Sequence, residues 1–307
     1  MRNPTRIACL LAGAILLLHT SSALSGELAI TFDDAPRSGT EVFDGQQRTD
    51  ALLESLRKAG VAEAMFFVVS SNIKDDNRNR LEKYAQQGHV LASHSHTHIS
   101  ANQSSIADFI ADVATANRVL SSLDGYQPYF RFPYLHRGAT PEDRQAIKVE
   151  LAALGQLDGY VTIDNYDWYM DALLQDALRE GRSVDYEALE RIYVEVLWNC
   201  IEFYDQLAIE ALGRSPKHVL LLHENDLAAM FVDKLVEHAR RQGWQIIPAT
   251  SAYQDEIAEF DAAAVAGNQG RIAAIAQANG IASTQSRHES ESEEFLQELF
   301  EREKIFK

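Results

Sequence analysis

The sequence predicts an α/β fold in which parallel strands are backed by helices and a polar site gathers at the strands' C-terminal ends. Three observations predict it. Short apolar runs of strand length alternate with stretches of helical periodicity from about residue 28 to residue 250, and such alternation implies parallel pairing with the helices outside. Chemistry-bearing side chains recur where the apolar runs stop: Asp33 and Asp34, His94 and His98, Arg131, Asp164 and His223. In (β/α) barrels that end is where loops from successive strands converge on one site. The chain is also large enough, at 307 residues and 46% hydrophobic, to bury a full core as one α/β domain of about 230 residues with appendages.

The elements follow in order. Leu28–Phe32 is an apolar strand that stops at two acids. Arg48 to Ala59 has apolar residues at helical spacing, and Gly60 ends it. Ala64–Val69 reads as a fully buried strand and Arg80–Gln87 as a helix stopped by Gly88. Val90–Ala92 is a short strand leading into Ser93-His94-Ser95-His96-Thr97-His98, followed by an amphipathic helix over Ile106–Leu123. Tyr129–Phe132 is a strand, Pro141–Leu154 a helix, and Tyr160–Ile163 a strand ending at Asp164. His218–Leu222 is a strand ending at His223, Leu227–Gln242 its helix, and Gln245–Ile247 the final strand. Two stretches stand outside the alternation. Residues 170–214 form a helical insertion, expected to cap or lengthen the cleft, whose Tyr193, Trp198 and Tyr204 are assigned to core rather than to sugar stacking. Residues 256–307, alanine-rich and then acidic, form a helical C-terminal extension with a solvated end.

At the other end, Arg2 and Arg6 precede the apolar run Ile7 to Leu18, and the small residues Ser21 to Ser25 follow. That order is expected for a secretory signal peptide over residues 1–25, cleaved after Ala23 or Ser25. The run is too short for a comfortable membrane span, which needs about 20 residues. Export to the periplasm or the extracellular medium, with no stable membrane span after cleavage, is therefore expected. Cys9 would leave with the leader, so Cys200 has no intrachain partner and the fold has no disulfide framework. The formal net charge is −17. A charge that negative argues against nucleic acid and anionic lipid as partners and makes a strongly anionic glycan a less natural substrate, unless a local basic cleft overrides it.

His94 and His98, four residues apart, share one face if the chain turns helically after Ser93. Two histidines on one face are half of a divalent-metal site, and a carboxylate from Asp33-Asp34 would complete it with a position left open for water. The segment is not His-Glu-x-x-His, because Ser95 stands where a metalloprotease carries its glutamate. A base must come from elsewhere.

Taken together, these residues resemble the NodB-like polysaccharide deacetylases, carbohydrate esterase family four. Thr31-Phe32-Asp33-Asp34-Ala35-Pro36 is similar to the first motif of that family, and Gly88-His89 through His98 to the second. Arg131-Phe132-Pro133-Tyr134 is similar to the third, Asp164-Asn165-Tyr166-Asp167-Trp168 to the fourth, and Leu221-Leu222-His223 to the fifth. Ala35 stands where the family usually has glycine, and the insertion before His223 is a second departure. The resemblance, over about residues 28 to 250, implies a distorted (β/α) barrel of the NodB-homology type within residues 26–255. It implies Zn2+, or Co2+ or Ni2+, held by Asp34, His94 and His98. Asp33 would be the general base, facing differently from Asp34 because strand residues alternate. Arg131 would brace Asp33, and His223 would be the general acid, oriented by Asp164. The backbone N–H of Tyr134 would stabilise the oxyanion, and Trp168 and Leu221 would wall the acetyl pocket. His89 and His96 receive no role.

The activity so implied is a secreted, metal-dependent carbohydrate deacetylase acting on an acetylated polysaccharide. N-acetyl groups of peptidoglycan or chitin-like amino sugars come first, because an exported enzyme meets peptidoglycan; an O-acetyl xylan or polysaccharide esterase is the alternative. A non-catalytic glycan-binding homologue is disfavoured because neither a ligand nor the base is missing. A non-haem iron oxygenase shares the ligand set but is opposed by the strand–helix alternation. Oligomeric state is not readable from the sequence.

Overall fold

A computed structural model describes residues 26–261 and 268–307; the leader expected over residues 1–25 lies outside them. Among the described residues seven strands form one parallel sheet: β1 Glu27–Ala35, β2 Met65–Val68, β3 Val90–Ser93, β4 Tyr126–Phe130, β5 Leu157–Asp158, β6 Lys217–His223 and β7 Gln245–Ile246. Their order is β5-β4-β3-β2-β1-β6, with β7 also on β1. β1 is central, and its Leu28, Ala29, Ile30 and Phe32 are fully buried. A strand covered on both faces reads as a continuous apolar run, which is what Leu28–Phe32 is.

Register sets the site. β1 pairs with β6 residue for residue from Glu27↔Lys217 to Asp33↔His223, so the last pair of the ladder places a candidate base beside a candidate acid. On the other edge β1 pairs with β2 at Phe32↔Phe66 and again at Ala35↔Val68, with a register shift between. That irregularity contains Asp33 and Asp34 and turns the second acid away from strand alternation. The next ends are level, Val68↔Ser93 and Ser93↔Phe130, so His94 and Arg131 each follow their strand at the same height.

The barrel is incomplete between β5 and β6. The stretch Tyr160–Ile163, expected as a strand, crosses that gap as irregular chain and joins β6 only by the bridge Ile163↔Leu220. Gly159 starts the crossing because a Cβ there would sit 2.6 Å from the Phe67 ring.

Helices α1 Gly45–Lys58, α2 Arg78–Gln86, α3 Ile106–Leu120, α4 Pro141–Ala153, α5 Asp167–Arg179, α6 Tyr186–Leu212 and α7 Asp226–Arg241 pack outside. Side-chain caps fix the starts of several: Asp44 with Gln47 as a capping box on α1, Ser105 on α3, Asn225 on α7. The helical insertion is present as α5 and α6, but α6 does not cap the cleft. It packs on α7 and on a later helix, α9 Arg271–Ala278. The reason is its composition: Leu189, Ile192, Val196, Ile201 and Leu207 give it a long apolar stripe that has to be covered. Tyr193, Trp198 and Tyr204 are buried, as assigned to core. Cys200 is a buried free thiol, and among the described residues no helix is long and apolar enough to cross a membrane.

The segment after residue 255 is not a solvated appendage. After the short helix α8 Ala249–Ala252, α9 buries Ile272, Ala273, Ile275 and Ala276, and α10 Glu293–Arg302 buries Leu296, Leu299 and Phe300 in the same core as β1. The acids that make this stretch look solvated, Glu293, Glu294, Glu298 and Glu301, occupy only the outer face of α10; the apolar residues recur on the inner one at i, i+3 and i+4. Phe300→Ala is expected to destabilise the whole domain by about 3–5 kcal/mol, read from a single cooperative denaturant transition. A loss below about 1 kcal/mol would mean that the segment docks without sharing the core.

Candidate active site

Asp33, Asp34, His94, His98 and His223 meet at the strand ends, in a cleft of about 520 Å³ that Tyr134, Asp164, Trp168 and Leu221 also line. The two histidines converge, but not on a helix. Residues 94–98 are irregular chain, bent by left-handed backbone at Ser95 (φ 68°) and His98 (φ 59°), and the rings meet edge to face at 4.9 Å. Asp34 is left-handed as well, at φ 71°.

The ligand atoms of Asp34, His94 and His98 lie within 4.8 Å of one another. His94 Nε2 is 3.7 Å and His98 Nε2 3.4 Å from Asp34 Oδ1. Bonds of about 2.0–2.1 Å in a tetrahedron put ligand atoms about 3.4 Å apart, so the spacing fits a divalent ion. His94 Nδ1 lies 2.9 Å from the carbonyl of Arg131; donating there fixes the tautomer that leaves Nε2 free. Burial, and the neighbouring His94, push the His98 imidazole down to about 4, so it is neutral at pH 7, as a ligand must be. Burial opposes ionisation of Asp34, but His223, His94 and His98 together with Arg37 hold its carboxyl below the usual range.

Asp33 is buried and fixed by Arg131, whose Nη1 lies 2.7 Å from Asp33 Oδ1. The guanidinium is itself immobile. It donates to Thr31 Oγ1 at 2.8 Å, the Gly159 carbonyl at 2.9 Å and the Tyr253 hydroxyl at 2.9 Å, and stacks on Phe67. Asp33 Oδ2 is left facing His94 Nε2 at 3.7 Å.

The orienter of His223 differs from the expectation. Asp164 makes no hydrogen bond to the ring; Asp167 does, with Oδ1 2.6 Å from His223 Nδ1 and Oδ2 accepting the His223 backbone N–H at 2.8 Å. Asn225 Nδ2 donates to the same carboxylate at 2.9 Å. Asp167 opens α5, so it faces the end of β6, whereas Asp164 ends the gap-crossing stretch and lies on the cleft wall. Burial disfavours charge on His223, but Asp167, helped by Asp34 and Asp33, outweighs it and raises the imidazole to about 9. Burial, reinforced by Glu291, pushes Asp164 up to about 8.

Tyr134 is exposed, left-handed (φ 57°) and packed on His98 with ring centroids 4.5 Å apart. The turn hydrogen bonds use the N–H groups of Leu135 and His136, and that of Tyr134 is not among them. Leu221 packs with Leu135 and Val161 in a small apolar cluster, and Trp168 stands half-exposed against Tyr166. His89 and His96 are held locally, by the Ala64 N–H and by Ser70 Oγ.

Some site residues have no signature in the sequence. Asp167 lies three residues from Asp164 in one polar stretch, and nothing local chooses between them. Asn268 and Arg287 reach the cleft from the segment after residue 255, too distant in sequence to associate with it. Beneath the loop after β1 lies a buried ionic pair of pairs, Arg48–Asp226 at 2.7 Å and Arg80–Glu224 at 2.6 Å. Glu224 also accepts the Arg37 backbone N–H at 2.6 Å, which anchors the stretch next to Asp34.

Comparison with known proteins agrees with this geometry. Residues 22–149 match the family model for polysaccharide deacetylase. A chitin deacetylase of Colletotrichum lindemuthianum is 30% identical over 115 residues, 36% of this chain and 42% of that protein; the chain thus spans about two fifths of the length of that curated relative. Among solved structures, a mutant of peptidoglycan deacetylase PdaC from Bacillus subtilis superimposes with a TM-score of 0.51 at 18% identity, over 75% of this chain and 91% of that one. A family 4 acetyl xylan esterase from Clostridium thermocellum in complex with a cobalt ion gives 0.51 at 17%, over 74% and 90%. At these identities the structural likeness establishes the fold, a parallel-stranded partial barrel with flanking helices.

Proposed function

We propose that this chain, which carries a polysaccharide deacetylase domain over residues 22–149, hydrolyses acetyl groups of a glycan outside the cytoplasm, N-acetyl groups of peptidoglycan or a chitin-like amino-sugar polymer first. The observation that carries the reading is the convergence of Asp34, His94 and His98 ligand atoms within 4.8 Å, with Asp33 and His223 as partners at the end of one ladder. A divalent ion held by the three, zinc first and cobalt or nickel by the same chemistry, would polarise the acetyl carbonyl and activate water.

The protein's own groups divide the remaining work. Asp33 takes the proton from water through Oδ2, its other oxygen being tied to Arg131. The Tyr134 N–H stabilises the oxyanion, a contribution of about 3 kcal/mol for one such donor. His223 turns Nδ1 to Asp167, so Nε2 is the atom that delivers a proton to the departing nitrogen or oxygen. Leu221, with Leu135 and Val161, receives the methyl, and Trp168 borders the sugar. The leader features of residues 1–25 support export.

The test is acetate release by the purified protein from peptidoglycan, chitooligosaccharides and acetylated xylan, run as isolated, after chelation and after zinc is restored. Release that chelation removes and zinc returns is expected, with amide substrates ahead of the ester. Release that survives complete chelation would overturn the metal role, and preference for xylan would make the protein an esterase.

A further inference from the structure

Two arginines stand in the cleft wall, and their pairing differs from that of four buried arginines of the chain. Arg48, Arg80, Arg131 and Arg271 each meet a carboxylate: Asp226, Glu224, Asp33 and Asp158. Arg37 and Arg287 line the cleft, and among the described residues neither forms an ion pair. Arg37 Nη1 is buried with no hydrogen-bond partner. Arg287 Nη2 donates to the Asn268 carbonyl at 2.6 Å, which fixes the side chain and leaves its other donors open. Asp164 and Glu291 are the acids nearest Arg287 in effect, and burial raises both above their ordinary range, which weakens their claim on its charge.

Withholding partners from two guanidinium groups is costly where water is partly excluded. A guanidinium held by one hydrogen bond with its fork open is the ordinary receptor for a carboxylate. We propose that the cleft selects an acetylated glycan bearing a carboxylate on or beside the acetylated sugar, with Arg287 as the specificity-determining contact and Arg37 as a second cation. This rests on the deacetylase reading above and names its substrate class. It also limits the expectation drawn from net charge: the overall field repels an anionic polymer at a distance, but the contact is decided in the cleft. Two sources carry this chemistry, a lactyl ether as in peptidoglycan strands and a uronic acid.

The experiment compares kcat/KM for acetate release from two matched pairs: an N-acetylated glycan strand with its lactyl carboxylates intact or reduced to alcohols, and an acetylated uronic-acid oligosaccharide intact or reduced. The parent protein is expected to prefer the intact member of one pair by about tenfold or more, mainly through KM, and that pair identifies the source. Arg287→Gln is expected to bring the ratio close to one, and Arg287→Lys to keep part of it. Equal turnover within both pairs, or a ratio that Arg287→Gln leaves unchanged, would overturn the proposal and leave deacetylation standing. Should Arg287→Gln not fold, the parent ratio and Arg287→Lys decide the same question. No acetate from any of the four would remove the deacetylase reading and this inference with it.

Discussion

Asp33→Asn is expected to lower kcat by about 10²–10⁴-fold while the protein still binds zinc. The amide can keep the Arg131 hydrogen bond, now 2.7 Å to the carboxylate, but it cannot accept a proton. The metal ligands Asp34, His94 and His98 are untouched. Measuring kcat beside metal content and a thermal melt separates the outcomes. Loss of activity with metal retained assigns Asp33 the base. Turnover within about tenfold of the parent, below the usual worth of a positioned base, would sink that role. Loss of metal and fold together would show Asp33 to be chiefly the partner that keeps Arg131 buried, since breaking a buried pair from one side costs about 3–5 kcal/mol.

Asp167→Asn is the second large effect, about 10²–10⁴-fold at neutral pH if His223 is the acid, and its signature is a displaced pH profile. Burial opposes charge on His223, yet Asp167 and the site carboxylates hold it up to about 9. As a proton donor it is therefore competent at neutral pH, and activity falls as pH rises toward that value. The asparagine removes the leading support and leaves burial, so the alkaline limb moves to lower pH and the loss at pH 8 exceeds the loss at pH 6. Asp164→Asn is expected to move the limb less, because Asp164 touches the ring with no hydrogen bond. A profile unmoved in Asp167→Asn, or moved further in Asp164→Asn, would return the orienting role to Asp164. The same shift has a stability counterpart. A folded value raised above 6.5 contributes stability that is complete below that pH and is lost as pH rises through about 9.

The comparison of these two acids shows where sequence reading stops. The strands and helices were legible because each carries its own period: Leu28–Phe32 and Ala64–Val69 as buried runs, α7 as an amphipathic stripe. The three metal-ligand candidates were legible because they sit at strand ends, although the means differed, left-handed turns in place of a helix. Asp167 was not legible, since its selection depends on α5 starting at that residue and facing β6. The stretch Tyr160–Ile163 has strand composition but joins β6 only by the bridge Ile163↔Leu220. The acid-rich tail misled for the converse reason: composition averages over faces, and burial of Leu296 and Phe300 is decided on one face only.

Asp34, Ser95, His98 and Tyr134 all hold left-handed backbone, a conformation that costs a non-glycine residue about 1–2 kcal/mol. Asp34 and His98 are metal-ligand candidates, so a glycine that relieved the strain at either would delete the ligand with it, and at Tyr134 it would keep the N–H but lose the ring packed on His98. The rim of this cleft is therefore a region where thermal robustness and catalytic competence oppose each other. Directed stabilisation of the protein will find its tolerated changes elsewhere, in the helices outside the barrel.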